Sequence, residues 1–291
     1  MSTDFSSAAA GDDEGRPTLQ LHVGVNIDPV SDLPVMPWLQ LAEAVAAWRA
    51  EGLLTRFFFV RKPPGLRLRF QADRRAELEP VVAAWAAELE DRGTVRSARF
   101  AIYEPETARF GGLAGTAVVE DWFGATAQCA LAYECLEPHR QEAAPRVLVG
   151  LSLVDDLVRG VVDDDAERWE VWSALERLTR PLPGAHEVDL GVIEACLSRD
   201  ERLRAQLESS MGSLMVDVFG ANRRVSKHLR ALARFDRLDV GPRAWLTAAI
   251  PFLWNHLGLP LDPAVLRATV AGAAEILGPE SPIEGAELRG K

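Results

Sequence analysis

The stretch from Phe57 to Gln71, FFFVRKPPGLRLRFQ, leaves the backbone few choices. Three consecutive phenylalanines and Val60 favour extended chain, Pro63, Pro64 and Gly65 reverse it, and Leu66, Leu68 and Phe70 then alternate with Arg67 and Arg69. Successive side chains of a strand point to opposite faces, so this hairpin has one apolar face and one on which two guanidiniums stand side by side. Like charges on one sheet face repel. The strand therefore calls for an anion or a carboxylate between them.

The flanking segments set the topology. LQLHVGVNI from Leu19 alternates as a strand, PWLQLAEAVAAWRAEG has helical spacing and a terminal Gly, RRAELEPVVAAWAAELEDRG is a second amphipathic helix, and TVRSARFAIYE a fourth strand. The order β-α-β-β-α-β predicts an α+β fold: a ferredoxin-like antiparallel sheet over residues 18–112, backed on one face by two helices and free to bind on the other. Residues 113–291 read as helix after helix, packed on the sheet as one integrated domain. Residues 1–17, rich in Ser, Ala, Gly and Asp, are expected to be a loose tail.

With 32 Lys+Arg against 43 Asp+Glu the chain carries a net charge of -11, which argues against a nucleic-acid surface. Cys129, Cys135 and Cys196 lack metal-type spacing, so three free thiols in a reducing compartment are expected, with no metal and no organic cofactor. No apolar run is long enough to span a membrane and the first residues do not form a signal peptide, which makes the cytoplasm the expected location.

Chemistry-bearing residues gather in YEPETARFGG, where Tyr103, Glu104, Glu106 and Arg109 precede the Gly111-Gly112 pair. Paired glycines let the backbone take positive φ and approach a ligand closely. The plain alternative is a strand-end turn whose Glu and Arg pair on the surface. If this strand lies near Arg67 and Arg69, its carboxylates come within their reach, and the cluster would suit a substrate carboxylate or carbonyl held by guanidinium groups. Tyr103 could donate a proton there. Among the histidines, His22 lies on the first strand opposite Leu21 and Val23, and His139, His186 and His228 fall in loops or helix ends, where a lone His is ordinarily a surface residue. The run Asp163-Asp164-Asp165 reads as a loop feeding a helix start, and Trp169, Trp172, Trp245 and Trp254 as core.

The blocks FFFVRKPPGLRLRF and YEPETARFGG, followed by FLWNHLGL, resemble the thiopeptide-type bacteriocin biosynthesis family, whose domain is also the elimination portion of class I lanthipeptide dehydratases. The resemblance spans about residues 19 to 278. Its members act on ribosomally made peptides: some expel glutamate from glutamylated Ser or Thr to leave dehydroamino acids, others close two dehydroalanines into a nitrogen heterocycle and shed the leader. It implies that Arg67, Arg69, Glu106 and Arg109 bind anionic or polar groups, that the partner is a precursor peptide with its leader and modified core, and that a glutamylating dehydratase subunit is a second partner to consider.

The third block departs from the family pattern, which has a His four positions before Asn and an Arg after it; here Pro251 and His256 flank Asn255. Proton abstraction near neutral pH favours a His base, and Pro251 cannot serve. The resemblance then points first to ring closure by a formal [4+2] cycloaddition, second to a glutamate-elimination lyase subunit, and third to a non-catalytic peptide-binding subunit. His256, inside the third block, completes the candidate set.

Overall fold

A computed structural model describes residues 17–28, 34–63, 65–178, 190–198, 201–259 and 263–278. The expected tail, apart from Pro17, lies outside these residues, as do Pro64 and His186. The chain is α+β, with a small antiparallel sheet at its amino-terminal end and a mostly helical remainder. In the sheet, β1 (Thr18–Ile27) lies between β4 (Gly65–Gln71) and β5 (Val95–Ala101), and β3 (Arg56–Lys62) pairs outside β4. A short β2 (Pro34–Val35), unforeseen from the sequence, pairs with the end of β1.

The register explains how the faces divide. Leu19, Leu21 and Val23 of β1 sit opposite Phe70, Leu68 and Leu66 of β4, and all six are buried. Phe57 and Phe59 of β3 extend that face. It is covered by α1 (Trp38–Ala50) and α2 (Arg75–Asp91): Trp48 meets both Phe70 and Trp85 edge-on, with ring centroids 5.6 Å apart in each case. Each such buried aromatic contributes about 2 kcal/mol. The opposite face carries Gln20 and His22 of β1, Arg67 and Arg69 of β4, Phe58 of β3 and Arg99 of β5, because Arg69 pairs across to Gln20 and Phe58, and His22 to Arg67 and Arg99.

That second face is not as free as the pattern suggests. After a 3-10 turn at Thr107–Phe110, α3 (Gly112–Glu134) runs along β3 and closes one end of it. Phe123 packs on Phe58 at 5.8 Å, and Arg56 is gripped by Asp121. Gly124 faces Arg56 where a Cβ would come 2.9 Å from its Cγ, so the helix can lie this close only without a side chain there.

The remainder comprises α4 (Pro138–Ala143), α5 (Arg146–Val161), α6 (Asp165–Leu178), α7 (Leu190–Leu197), α8 (Glu201–Met211), α9 (Ser213–Arg234), α10 (Pro242–His256) and α11 (Pro263–Ile276). The sequence pattern merges α7 with α8, starts α9 ten residues late and misses α4. Asn222 of α9 ties three helices together: its side chain accepts from Trp122 Nε1 (2.8 Å) and donates to the Leu153 carbonyl (3.0 Å). The acidic run does feed a helix start, with the Asp164 carboxylate accepting from the Glu167 amide. Trp172, Trp245 and Trp254 are buried as expected.

The outer edge of β3 is closed by α10. Asn255 Oδ1 accepts from the Arg61 amide (2.7 Å) and Asn255 Nδ2 donates to the Arg61 carbonyl (2.9 Å), so one side-chain amide stands in for a neighbouring strand. Arg61 reaches back the other way, donating to the His256 carbonyl (2.9 Å) and pairing with Glu134 (2.6 Å), while its guanidinium lies 4.4 Å over the Trp38 ring. Arg146 joins Glu134 and the Leu257 carbonyl, and Gly258, at φ +72, would drive a Cβ to 3.0 Å from Arg61 Cζ. Replacing Asn255 by Ala strands an amide and a carbonyl together, and should cost about 1–3 kcal/mol in urea unfolding. Wild-type stability in Asn255→Ala would show that the edge is satisfied in another way.

Candidate functional site

The arginine pair of β4 is resolved asymmetrically. Arg69 donates through Nε to Gln20 Oε1 (3.1 Å) and lies over the rings of Phe58 (5.4 Å) and Tyr103 (5.0 Å). Burial works against its charge, while Tyr103, Glu106 and Glu120 support it. Neutral amide oxygen and aromatic faces thus take the place of the carboxylate that the sequence pattern calls for. Arg67 is half-buried, and among the described residues neither arginine forms an ion pair. Arg99, on the same face, likewise forms no ion pair among the described residues.

Beside Arg69, the Tyr103 hydroxyl donates to Glu120 Oε1 (2.7 Å), and Glu120 Oε2 accepts from Gln71 Nε2 (2.7 Å) with Arg56 3.6 Å away. Burial first, and the Glu120 charge second, push the phenol well above its ordinary value, so Tyr103 stays protonated and remains a donor at neutral pH. The dyad opens onto a cleft of about 650 Å³ lined by Tyr103, Glu120, Asp121, Arg56, Arg75 and Thr18. Glu120 escapes sequence reasoning because it lies on α3, outside both blocks, where only the packing of the helix against the sheet brings it to Tyr103. Gln20 is legible: it shares the β1 face of His22 by strict alternation.

Glu106 and Arg109 pair with each other at 2.9 Å on the exposed turn after β5, as the plain alternative has it. Arg109 also lies 5.1 Å over the Phe252 ring of α10. Glu106 remains near enough to act electrostatically on Arg69 and Tyr103. Gly111 and Gly112 do take positive φ, at +76 and +87, but the close approach is to protein: a Cβ would meet Leu238 and Asp239.

The two histidines sit in different surroundings. His256 is wholly buried between Phe59 and Phe123, with Nδ1 3.0 Å from Thr126 Oγ1 and Nε2 unpartnered. Burial, with Arg61 and Arg69 behind it, lowers its pKa to about 3. It therefore meets no substrate in this conformation. His22, expected from the sequence to be an ordinary lone histidine, lies instead between Arg67 and Arg99. Burial and those arginines lower its pKa also. The Gln20 amide, oriented by Arg69 and by its bond to the Ile102 carbonyl (3.0 Å), points Nε2 at His22 Nε2 (3.1 Å), so that ring nitrogen must be the acceptor and its lone pair is engaged.

The family model for the lantibiotic biosynthesis dehydratase C-terminal region matches residues 39–259, most of the chain. The chain belongs to that family. The matched range includes the β3–β4 hairpin, the Tyr103–Gly112 segment and the α10 cap, but not β1 with Gln20 and His22. No curated protein matches the sequence. Among solved structures, one described as the crystal structure of TsrL is similar over 90% of this chain and 97% of its own, at 16% identity and a TM-score of 0.49.

Within this lantibiotic dehydratase C-terminal fold, the buried His256 makes stability fall with acid. Above pH 6.5 the ring is neutral in both states; below it the unfolded chain takes up a proton that the folded chain refuses until pH falls to about 3. Unfolding free energy should drop by a few kcal/mol across that window, since each tenfold difference in proton affinity between the two states is worth about 1.4 kcal/mol. The comparison is with His256→Gln, which cannot titrate. Parallel stability-versus-pH curves for the two proteins would place the acid sensitivity elsewhere.

Proposed function

We propose that this protein matures a ribosomally made precursor peptide by joining two dehydroalanines into a six-membered nitrogen heterocycle, a formal [4+2] cycloaddition followed by loss of water and of the leader. Membership of the lantibiotic dehydratase C-terminal family supports a peptide-maturation role, and the strand order β3-β4-β1-β5 supports taking the amino-terminal region, residues 18–112, as ferredoxin-like. The observation that carries the reaction is the pairing of a protonated Tyr103 with Glu120 beside Arg69, where neither nearby histidine has a lone pair open to substrate. Such a site is rich in donors and poor in free base. Ring closure asks for donors: an amide held as its iminol tautomer, two alkenes aligned, and a proton for the departing hydroxyl. Arg67 would hold a substrate carbonyl, Tyr103 would supply the proton, and Glu120 would keep the phenol in place.

Glutamate elimination would need a base to remove an α-proton, and His22 could do so only after Gln20 swings away. The decisive experiment offers two peptides, one bearing two dehydroalanines and one glutamylated. The first should lose water plus leader by mass, and the second should be untouched. Arg67→Ala and Tyr103→Phe should each slow the first reaction by about 10²-fold or more with the fold intact. Release of glutamate from the second peptide would make the protein an elimination lyase; binding without mass change would make it a presenting subunit.

A further inference from the structure

Strand β5 is an unclosed edge. Antiparallel pairing turns the amides of alternate residues toward β1 and the others outward. The Ala98 amide is outward, for it donates to the Glu90 side chain rather than to β1. By alternation the Phe100 amide and carbonyl also face outward, and among the described residues no segment pairs with that side of the strand. Phe100 and Ile102 are 41% and 84% exposed, so this edge presents apolar side chains as well as backbone groups.

Apart from Glu90 at the Ala98 amide, the sheet face beside the edge carries charge opposite to that of the molecule. On a chain of net charge -11, the face beside β5 presents Arg99, His22 and Arg67 in one row across the sheet. Lys62 is near enough to act on His22, and Arg96 Nε lies 3.9 Å from where Gly24 would place a Cβ. A second copy of this chain added at the edge would bring a second set of Arg96 and Arg99 alongside the first, which like-charge repulsion disfavours. An acidic strand would be welcomed. The direction fits too, because β5 leads into Tyr103, and the four steps from Arg99 to Tyr103 span about 13 Å of extended chain.

We propose that β5 is the docking strand for an extended, acidic segment of the peptide substrate, which adds to the sheet through the outward backbone groups of Phe100 and sets its carboxylates beside Arg99, the member of the Arg99, His22 and Arg67 row nearest the edge. The inference rests on the proposed function, in which the substrate is a peptide, and it names how that peptide is chosen and aimed at Tyr103.

The test uses a fluorescein-labelled peptide of alternating Glu and Val, with a Lys-Val counterpart, read by anisotropy on the full chain. The Glu-Val peptide should bind and weaken as salt rises, and the Lys-Val peptide should not. Phe100→Pro removes only the outward amide, sparing the bonds to β1, and should weaken binding by about tenfold or more while circular dichroism stays unchanged. Phe100→Ala keeps the amide and should stay within about threefold, and Arg99→Glu should also lose about tenfold. Equal binding of both peptides, no binding by the wild type, or an unaffected Phe100→Pro would overturn the proposal, as would a dimer that Phe100→Pro dissociates. None of these measurements needs turnover, so binding of the Glu-Val peptide without any mass change in the dehydroalanine peptide would leave docking standing and reject the cyclase.

Discussion

A strand edge buried inside a protein must have its amides and carbonyls answered, and β3 has such an edge. The answer comes from one side chain, Asn255, far away in sequence. Because Asn255 holds both backbone groups of Arg61, the end of α10 is pinned to the sheet, and because Arg61 in turn donates to the His256 carbonyl, the sheet caps the helix. The two regions are each other's termination. With α10 fixed, Phe252 meets Phe123 at 4.6 Å in a near-parallel stack, and Phe123 in turn meets Phe58 under Arg69. The position of the candidate site therefore descends, contact by contact, from an amide pair at the sheet edge.

The arginine pair shows how a sheet tolerates two like charges without a counterion between them. Arg69 is absorbed by Gln20 and two aromatic faces, all of which disperse its charge without cancelling it. Arg67 is left unneutralised beside it. Tyr103 is held as a donor in turn: burial first, and the charge and hydrogen bond of Glu120 second, keep the phenol protonated, which suits a donor and not a base.

His256 and His22 illustrate how little a motif position says about access. His256 stands within the family's third block, yet the block's work here is to seat α10 on β3, and packing between Phe59 and Phe123 shuts the ring away. His22 lies outside the range matched by the family, and reaches the arginines because β1 is the central strand. A central strand brings its side chains against both neighbours at once, which neither spacing nor composition reveals.

Local periodicity was enough for the hairpin at Pro63, for the burial of Leu66, Leu68 and Phe70, and for Arg67 and Arg69 sharing a face, because strand alternation depends only on neighbouring residues. It was enough also for the helical character of the remainder and for the glycine turn at Gly111 and Gly112. What lies across the sheet or between distant elements was decided by the tertiary structure alone. Glu120 at Tyr103, Asn255 at Arg61, α3 closing one end of the polar face and Arg99 alongside His22 each join residues on different elements of the chain. Such contacts form only when strand register and helix packing have been settled together, since a one-residue slip in either strand of a pair would turn every one of its side chains to the other face.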